Sequence, residues 1–164
     1  MKTVAFDLDD LLISTKARKE AFNSDMLLSR NKIKTKENYD DGLYLHLDEP
    51  LPFALATVKF FENMGYEIVY VTGRRVLALK NSMKVLSDMG FPIKKEHLFF
   101  RPMGDIETPE HKRESFLYLM DKGYDIKYFF DDKEKNLEVA LSVGIPNVYN
   151  SVQPFVLEAI DWEV

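Results

Sequence analysis

The chain has 164 residues, a formal net charge of −5 and no cysteine. This length suits one domain with a buried core, and the 46% hydrophobic content excludes an intrinsically disordered chain. The lack of cysteine excludes disulfides, thiolate nucleophiles and cysteine-ligated zinc, and the negative charge argues against nonspecific nucleic-acid binding. Since no signal peptide or apolar span of membrane length is present, we expect a cytoplasmic protein with no membrane partner.

A short apolar strand, residues 2–7, opens the chain and ends on the carboxylates Asp7, Asp9 and Asp10. Like charges at one site repel and raise each other's pKa. A divalent cation would offset this repulsion, and hard cations such as Mg²⁺ prefer oxygen ligands. The first strand therefore predicts an Mg²⁺ site at its carboxyl end.

Residues 11–49 do not follow the strand–helix rhythm of the later chain. We interpret them as a small cap insertion over the C-terminal end of the first strand, with a helix over residues 15–28 and a hairpin turn at Asp41-Gly42. Residues 16–36 carry a local charge of +5, so the rest of the chain carries −10. This basic segment is either a solvated helix face or a surface for a polyanion.

From residue 50 onward, strands and helices alternate regularly. The predicted strands are residues 67–71, 97–100, 126–130 and 147–149. Helices fall between them, and one begins at Thr108-Pro109, with Thr108 as N-cap and Pro109 as its first residue. Strands that alternate with helices predict a doubly wound parallel α/β sheet, here within a single domain, residues 1–164.

Polar residues end three of the predicted strands, and in an open parallel sheet ligands bind at the carboxyl ends of the strands. Asp7 and Asp9 follow the first strand, Thr72 the second, and Asp131-Asp132 the fourth. The pattern predicts phosphoryl transfer through an aspartyl phosphate, with Asp7 as nucleophile and Asp9 as general acid and then base. The predicted ligands of Mg²⁺ are Asp7, Asp9, Asp131 and Asp132.

The charge of a phosphoryl group must be met by positioned donors. Thr72 and Lys112 complete the predicted catalytic set, and without substrate Lys112 is expected to pair with Asp7 or Asp131. Gly73, whose N–H we place at a helix start, Arg74 and Arg101 are the predicted substrate-binding residues.

The motifs resemble, in order, those of the haloacid dehalogenase superfamily: Asp7-Leu8-Asp9-Asp10, Thr72-Gly73-Arg74, Lys112 and Asp131-Asp132. The resemblance implies a Rossmann-like core, Mg²⁺ dependence and action on a phosphate monoester. The family pattern usually has Thr or Val at the fifth position of the first motif, where this chain has Leu11. We expect this difference to remove a local supporting hydrogen bond and not to affect the nucleophile. The carboxylate of Asp9 favours a phosphatase over an enzyme that cleaves carbon–halogen bonds.

A closer similarity involves three stretches of the chain: residues 98–105, residues 110–113 and residues 129–132. They are similar to the phosphatase domain of bacteriophage-type polynucleotide kinase, a group that removes 3′-phosphates from nucleic-acid ends. The resemblance implies a polynucleotide 3′-phosphatase and a nucleic-acid end as partner. The chain lacks the G-x-x-x-x-G-K-[ST] loop of a kinase domain.

Other functions fit the same motifs. One is a phosphatase for small molecules such as nucleotides or sugar phosphates, and another is a catalytically silent relative that only binds. A phosphoacceptor receiver domain fits less well, because Lys112 precedes the double Asp in the chain. Because no large insertion separates the later motifs, we expect an open site that admits a bulky substrate or is closed by a second subunit of a homo-oligomer.

Overall fold

The computed structural model describes residues 1–153, which form seven strands and six α-helices. The strands are β1 (Lys2–Phe6), β2 (Ile13–Ser14), β3 (Glu49–Pro50), β4 (Glu67–Arg75), β5 (Leu98–Arg101), β6 (Asp125–Phe130) and β7 (Asn147–Tyr149). The helices are α1 (Lys16–Leu28), α2 (Lys32–Asp40), α3 (Ala54–Asn63), α4 (Leu79–Met89), α5 (Thr108–Asp121) and α6 (Glu134–Ser142). None of these helices has the length and apolar character needed to cross a membrane.

Five strands form a parallel sheet in the order β5-β4-β1-β6-β7, and β2 pairs with β3 in a separate antiparallel ribbon. Helices α3 and α4 contribute to the apolar cluster on one face of the sheet, and α5 and α6 to the cluster on the other. This arrangement confirms the predicted doubly wound α/β class with an insertion after the first strand. The extent of the domain stays a prediction, and residues 154–164 lie outside the described part.

The central strand β1 is buried on both faces. Its successive side chains point to opposite sides of the sheet and enter the two apolar clusters in turn. Phe6 stacks on Phe130, with ring centroids 5.1 Å apart, and meets Phe61 edge-on at 6.0 Å. Ala5 faces the other way, into the cluster that contains Phe116. This two-sided packing fixes the carboxyl end of β1, where the acidic residues begin.

The insertion contains α1, α2 and the β2–β3 ribbon, and the helix expected over residues 15–28 is observed as α1. The predicted hairpin turn at Asp41-Gly42 is wrong. Asp41 caps the C-terminus of α2, where its N–H donates to the Glu37 carbonyl, and Gly42 follows with a φ of 85° and donates its N–H to the Tyr39 carbonyl. A left-handed glycine commonly ends a helix, so the same dipeptide serves either structure.

Two expectations near the site are also corrected. Strand β4 continues to Arg75, which pairs with Arg101 of β5, so the Gly73 N–H lies within a strand and not at a helix start. Helix α5 begins at Thr108, with Glu107 in the N-cap position and no side-chain cap. Thr108 lies instead against Gly73, and this contact joins α5 to β4.

Gly73→Ala should destabilise the fold, because the added Cβ would lie 2.9 Å from Thr108 Cγ2 and 3.0 Å from Thr108 Oγ1. We expect the free energy of unfolding to fall by about 1–3 kcal/mol, as measured by urea denaturation. In a Thr108→Ala background those two atoms are gone, so the same substitution should cost much less. Equal losses in both backgrounds would contradict this contact as the cause.

Candidate active site

Four elements carry the predicted site residues to the carboxyl edge of the sheet. Asp7 directly follows β1, Thr72 lies in the last part of β4, Asp131-Asp132 follows β6, and Lys112 lies near the start of α5. A cavity of about 230 Å³ is lined by most of the predicted set: Asp7, Asp9, Thr72, Gly73, Arg74, Lys112 and Asp132. Below we call this the active-site cavity.

The buried ammonium of Lys112 lies between two carboxylates. Its Nζ donates to Asp7 Oδ1 at 2.9 Å and to Asp131 Oδ2 at 2.5 Å. Burial raises the pKa of Asp7 to about 6, with Lys112 opposing the rise and Asp131 adding to it. Burial would lower the pKa of Lys112, but the two carboxylates outweigh it and raise that pKa above its ordinary value. Lys112 is therefore charged, and Asp131 is held further by Asn136 Nδ2 at 3.0 Å.

Three carboxylates fit a metal ion. Asp7, Asp131 and Asp132 each offer one oxygen, and these oxygens lie within 4.8 Å of one another. Among the described residues the buried Oδ1 of Asp132 has no hydrogen-bond partner. A buried polar atom without a partner is costly, and a hard divalent cation with oxygen ligands would satisfy it. The donor set therefore suits Mg²⁺.

Two arginines, Arg18 and Arg74, hold Asp9, and we call them the arginine pair. Arg74 Nη2 donates to Asp9 Oδ1 at 2.7 Å, and Arg18 Nη2 donates to the same oxygen at 2.6 Å. Burial would raise the pKa of Asp9, but the arginine pair outweighs it and lowers that pKa to about 2. Asp9 is therefore ionised at neutral pH in this arrangement. Its carboxylate lies outside the three-acid group, so its role as a metal ligand stays a prediction.

Asp48 lies behind the arginine pair and ties it to the insertion. Arg18 Nε donates to Asp48 Oδ1 at 3.0 Å, and Arg74 Nη2 donates to Asp48 Oδ2 at 3.3 Å. Arg74 Nη1 also donates to Ser82 of α4 at 2.9 Å. Arg74, predicted to bind substrate, is thus engaged by side chains from three parts of the chain.

Sequence reasoning missed Arg18 and Asp48. In the sequence, Arg18 is one of several basic residues of a segment that resembles a solvated helix face. In the structure it is buried. Its partners lie 9 and 30 residues away, beyond any helical spacing. The one available signal is that α1 has no apolar stripe that could pack on the sheet, which leaves room for a polar contact there.

Arg101, also predicted to bind substrate, lies next to the active-site cavity and not in its wall. Its Nε donates to the Gly73 carbonyl at 3.0 Å, and its Nη1 donates to the Ile106 carbonyl at 3.2 Å. Arg101 therefore holds the backbone beside Thr72, and its guanidinium faces a second cavity.

A family model of the haloacid dehalogenase superfamily, subfamily IIIB (acid phosphatase), matches residues 1–151. The chain belongs to this family. Its membership confirms the superfamily and the phosphatase class that the motifs predict.

Two curated relatives share this sequence pattern. A Bacillus cereus protein named "Putative nucleotidase" is 34% identical over 109 residues, which is 66% of this chain and 52% of that protein. A protein of the same description from Oceanobacillus iheyensis is 30% identical over 144 residues, 83% of this chain and 71% of that protein. The chain therefore spans about half the length of the first relative.

Solved structures with the same fold include the class C acid phosphatase of Bacillus anthracis with tungstate bound. Its TM-score is 0.64 at 18% identity, over 93% of this chain and 67% of that one. A chain of a Pnkp1/Rnl/Hen1 complex gives a TM-score of 0.67 at 17% identity, over 92% of this chain and 47% of that one. At such identities the likeness shows the fold.

Mg²⁺ should raise the melting temperature strongly above pH 6 and weakly below it. Asp7 must be ionised to bind a cation, and its pKa of about 6 means that protons compete as the pH falls. Scanning fluorimetry with and without Mg²⁺ on either side of this pH measures the shift. Asp7→Asn should abolish most of it, whereas Asp10→Asn, outside the three-acid group, should retain it. The same shift at both pH values would contradict the prediction.

Arg18→Gln should raise the pKa of Asp9 from about 2 toward its ordinary value, because one of two cations that favour the ionised form is removed. A ¹³C NMR titration of the Asp9 carboxyl carbon measures this shift. Lys16→Gln, at an exposed position of the same helix, serves as the control and should leave the titration unchanged. An unmoved Asp9 titration in Arg18→Gln would show that Arg74 alone sets this pKa.

Proposed function

We propose that this chain is an Mg²⁺-dependent phosphomonoesterase that acts through a phosphorylated Asp7. The observation that carries the proposal is the meeting of Asp7, the buried Lys112 and the acidic pair Asp131-Asp132 at one edge of the sheet. The family membership supports the same reaction class.

In the first step an Asp7 oxygen attacks phosphorus, and the bond from phosphorus to the leaving oxygen breaks. The products are an acyl phosphate on Asp7 and an alkoxide that takes a proton from Asp9. In the second step Asp9 accepts a proton from water, the water oxygen attacks phosphorus, and the bond to Asp7 breaks to release phosphate. Mg²⁺ bound to Asp7, Asp131 and Asp132 would neutralise charge shared between these carboxylates and the phosphoryl oxygens.

Lys112 and Thr72 have positioning roles in this scheme. The Lys112 ammonium is 2.9 Å from Asp7, so it can meet a phosphoryl oxygen as that oxygen approaches the nucleophile. Thr72 is buried, and its Oγ1 accepts the Arg74 N–H at 3.0 Å, which fixes the backbone beside the phosphate position.

The proton on Asp9 requires a change in the arginine pair. With both guanidiniums on its carboxylate, Asp9 has a pKa of about 2 and carries no proton. A phosphate dianion can take the same bidentate, charge-assisted hydrogen bonds from arginine that a carboxylate takes, and it carries more negative charge. We propose that Arg18 and Arg74 turn toward the bound phosphate, so that the pKa of Asp9 rises and the residue can act as general acid.

The proposed substrate is a phosphate on a nucleotide unit. The similarity of residues 98–105 to polynucleotide 3′-phosphatases supports a nucleic-acid end, and Arg101 of this stretch faces a cavity next to the active site. A free nucleotide is the second candidate, because two curated relatives are described as nucleotidases.

Phosphate release tests the reaction and separates the substrates. We expect Mg²⁺-dependent release from a 3′-phosphorylated oligonucleotide or a nucleoside monophosphate, and a loss of about three orders of magnitude or more in Asp7→Asn. Asp88→Asn, an exposed carboxylate on α4, is the control and should act like the wild type. If no substrate is hydrolysed and Asp7→Asn is indistinguishable from the wild type, the chain is a silent relative that only binds.

The covalent step has its own readout. Acid-quenched protein incubated with a ³²P-labelled substrate should carry label that hydroxylamine removes, because an acyl phosphate reacts with this nucleophile. Asp9→Asn should retain the label longer, since no base remains to activate water. Turnover without labelled protein in either form would favour direct attack by water.

A further inference from the structure

A second cavity, of about 220 Å³, adjoins the active-site cavity between the insertion and the sheet. Asp9, Gly73 and Arg74 line both cavities, so the two share a wall. The insertion contributes Tyr39 and Asp40 to the far side, and the sheet contributes Arg75 and Arg101. We call this the arginine cavity.

Arg75 and Arg101 are placed directly opposite each other on the neighbouring strands β4 and β5. Neighbouring strands lie only about 4.8 Å apart, and like charges at facing positions destabilise a sheet. Burial and the proximity of Arg75 hold the pKa of Arg101 below its ordinary value. An anion between the two guanidiniums would relieve this repulsion.

Neither of these guanidiniums pairs with a carboxylate among residues 1–153. Arg75 Nη1 donates only to the Gly104 carbonyl, at 3.4 Å, and Arg101 donates to the Gly73 and Ile106 carbonyls. Arg18 and Arg74, by contrast, are neutralised by Asp9 and Asp48. Asp40 supplies one negative charge to the cavity wall against the two positive charges of Arg75 and Arg101.

The arginine cavity lies a short distance along β4 from the proposed reacting centre. Thr72 and Arg75 are three residues apart on β4, which is at most roughly 10 Å of strand, so one small unit can link the two positions. Tyr39, whose ring packs against Phe22, adds an aromatic side chain to the wall of the same cavity.

We propose that the arginine cavity binds a second phosphate of the substrate, so that the preferred substrate carries two phosphates joined through a pentose. The reacting phosphate lies at Asp7, and the other lies between Arg75 and Arg101. This inference rests on the proposed phosphatase function. A nucleoside 3′,5′-bisphosphate and a 3′-phosphorylated oligonucleotide end share the required chemistry.

The test compares kcat/KM for a nucleoside 3′,5′-bisphosphate with kcat/KM for the matching 3′-monophosphate. We expect the wild type to favour the bisphosphate, and Arg75→Gln to lower that ratio about tenfold or more, since a charge-assisted contact to phosphate is lost. Arg75→Lys should restore much of the preference. Lys80→Gln, an exposed cation on α4, is the control and should keep the wild-type ratio.

A 3′-phosphorylated oligonucleotide, assayed in parallel, distinguishes the two sources of the second phosphate. A higher kcat/KM for the oligonucleotide that falls in Arg75→Gln assigns the cavity to a nucleic-acid end, and a higher value for the bisphosphate assigns it to a free nucleotide. Equal kcat/KM values for bisphosphate and monophosphate in the wild type would overturn the inference. A loss in Arg75→Gln that is the same for both would also overturn it.

A binding measurement distinguishes the failure of the second-phosphate site from the failure of the proposed phosphatase function. Calorimetry with Asp7→Asn measures the affinity for the bisphosphate and for the monophosphate without turnover. If the wild type hydrolyses nothing but the bisphosphate still binds more tightly and depends on Arg75, the phosphatase proposal fails and the anion site stands. If the two ligands bind equally, the anion site fails whatever the catalytic result.

Discussion

The site depends on one buried ammonium group placed between two carboxylates. Hydrogen bonding of the Asp7 N–H to the Phe130 carbonyl brings the ends of β1 and β6 together, so Asp7 and Asp131 would repel each other without a cation. Lys112 supplies that cation from α5, at 1% exposure. Removing one partner of a buried ion pair leaves an uncompensated charge and typically lowers the free energy of unfolding by several kcal/mol. The same buried contact therefore fixes both the docking of α5 on the sheet and the position of Asp7, the proposed nucleophile.

Helix α1 of the insertion is held to this core largely by charge, whereas other insertion residues pack in the apolar core itself: Leu11, Leu12, Ile13 and Leu45. Arg18 is the only buried residue of α1, and its partners are the acids Asp9 and Asp48. The rings of Phe22, Tyr39 and Tyr44 pack α1, α2 and the following turn against one another. Arg18 thus gives the insertion an ionic contact with the core, and this contact runs through the general acid of the proposed reaction. A substrate phosphate that drew Arg18 away from Asp9, as proposed, would also break this contact.

Much of this architecture is predictable because its signals are local. Apolar strands followed at once by acids, as at Asp7 and Asp131, reveal both the sheet and its functional edge. The remainder depends on contacts distant in sequence. Strand β4 continues through Gly73 because the backbone of Arg75 lies in register with that of Arg101 on β5. No local sequence pattern marks this strand pairing. Asp41-Gly42 misleads because a glycine after an acid ends a helix as readily as it turns a hairpin.

The strand order has a consequence for how the chain is made. Of the strands in residues 1–153, β1 is synthesised first and occupies the centre of the sheet, and both of its neighbours are encoded much later, at Glu67–Arg75 and Asp125–Phe130. Chains emerge from the ribosome N-terminus first. The apolar residues of β1 therefore stay uncovered until most of residues 1–153 have been synthesised. The central position that fixes Asp7 in the folded protein therefore also leaves an apolar, aggregation-prone segment exposed in the nascent chain.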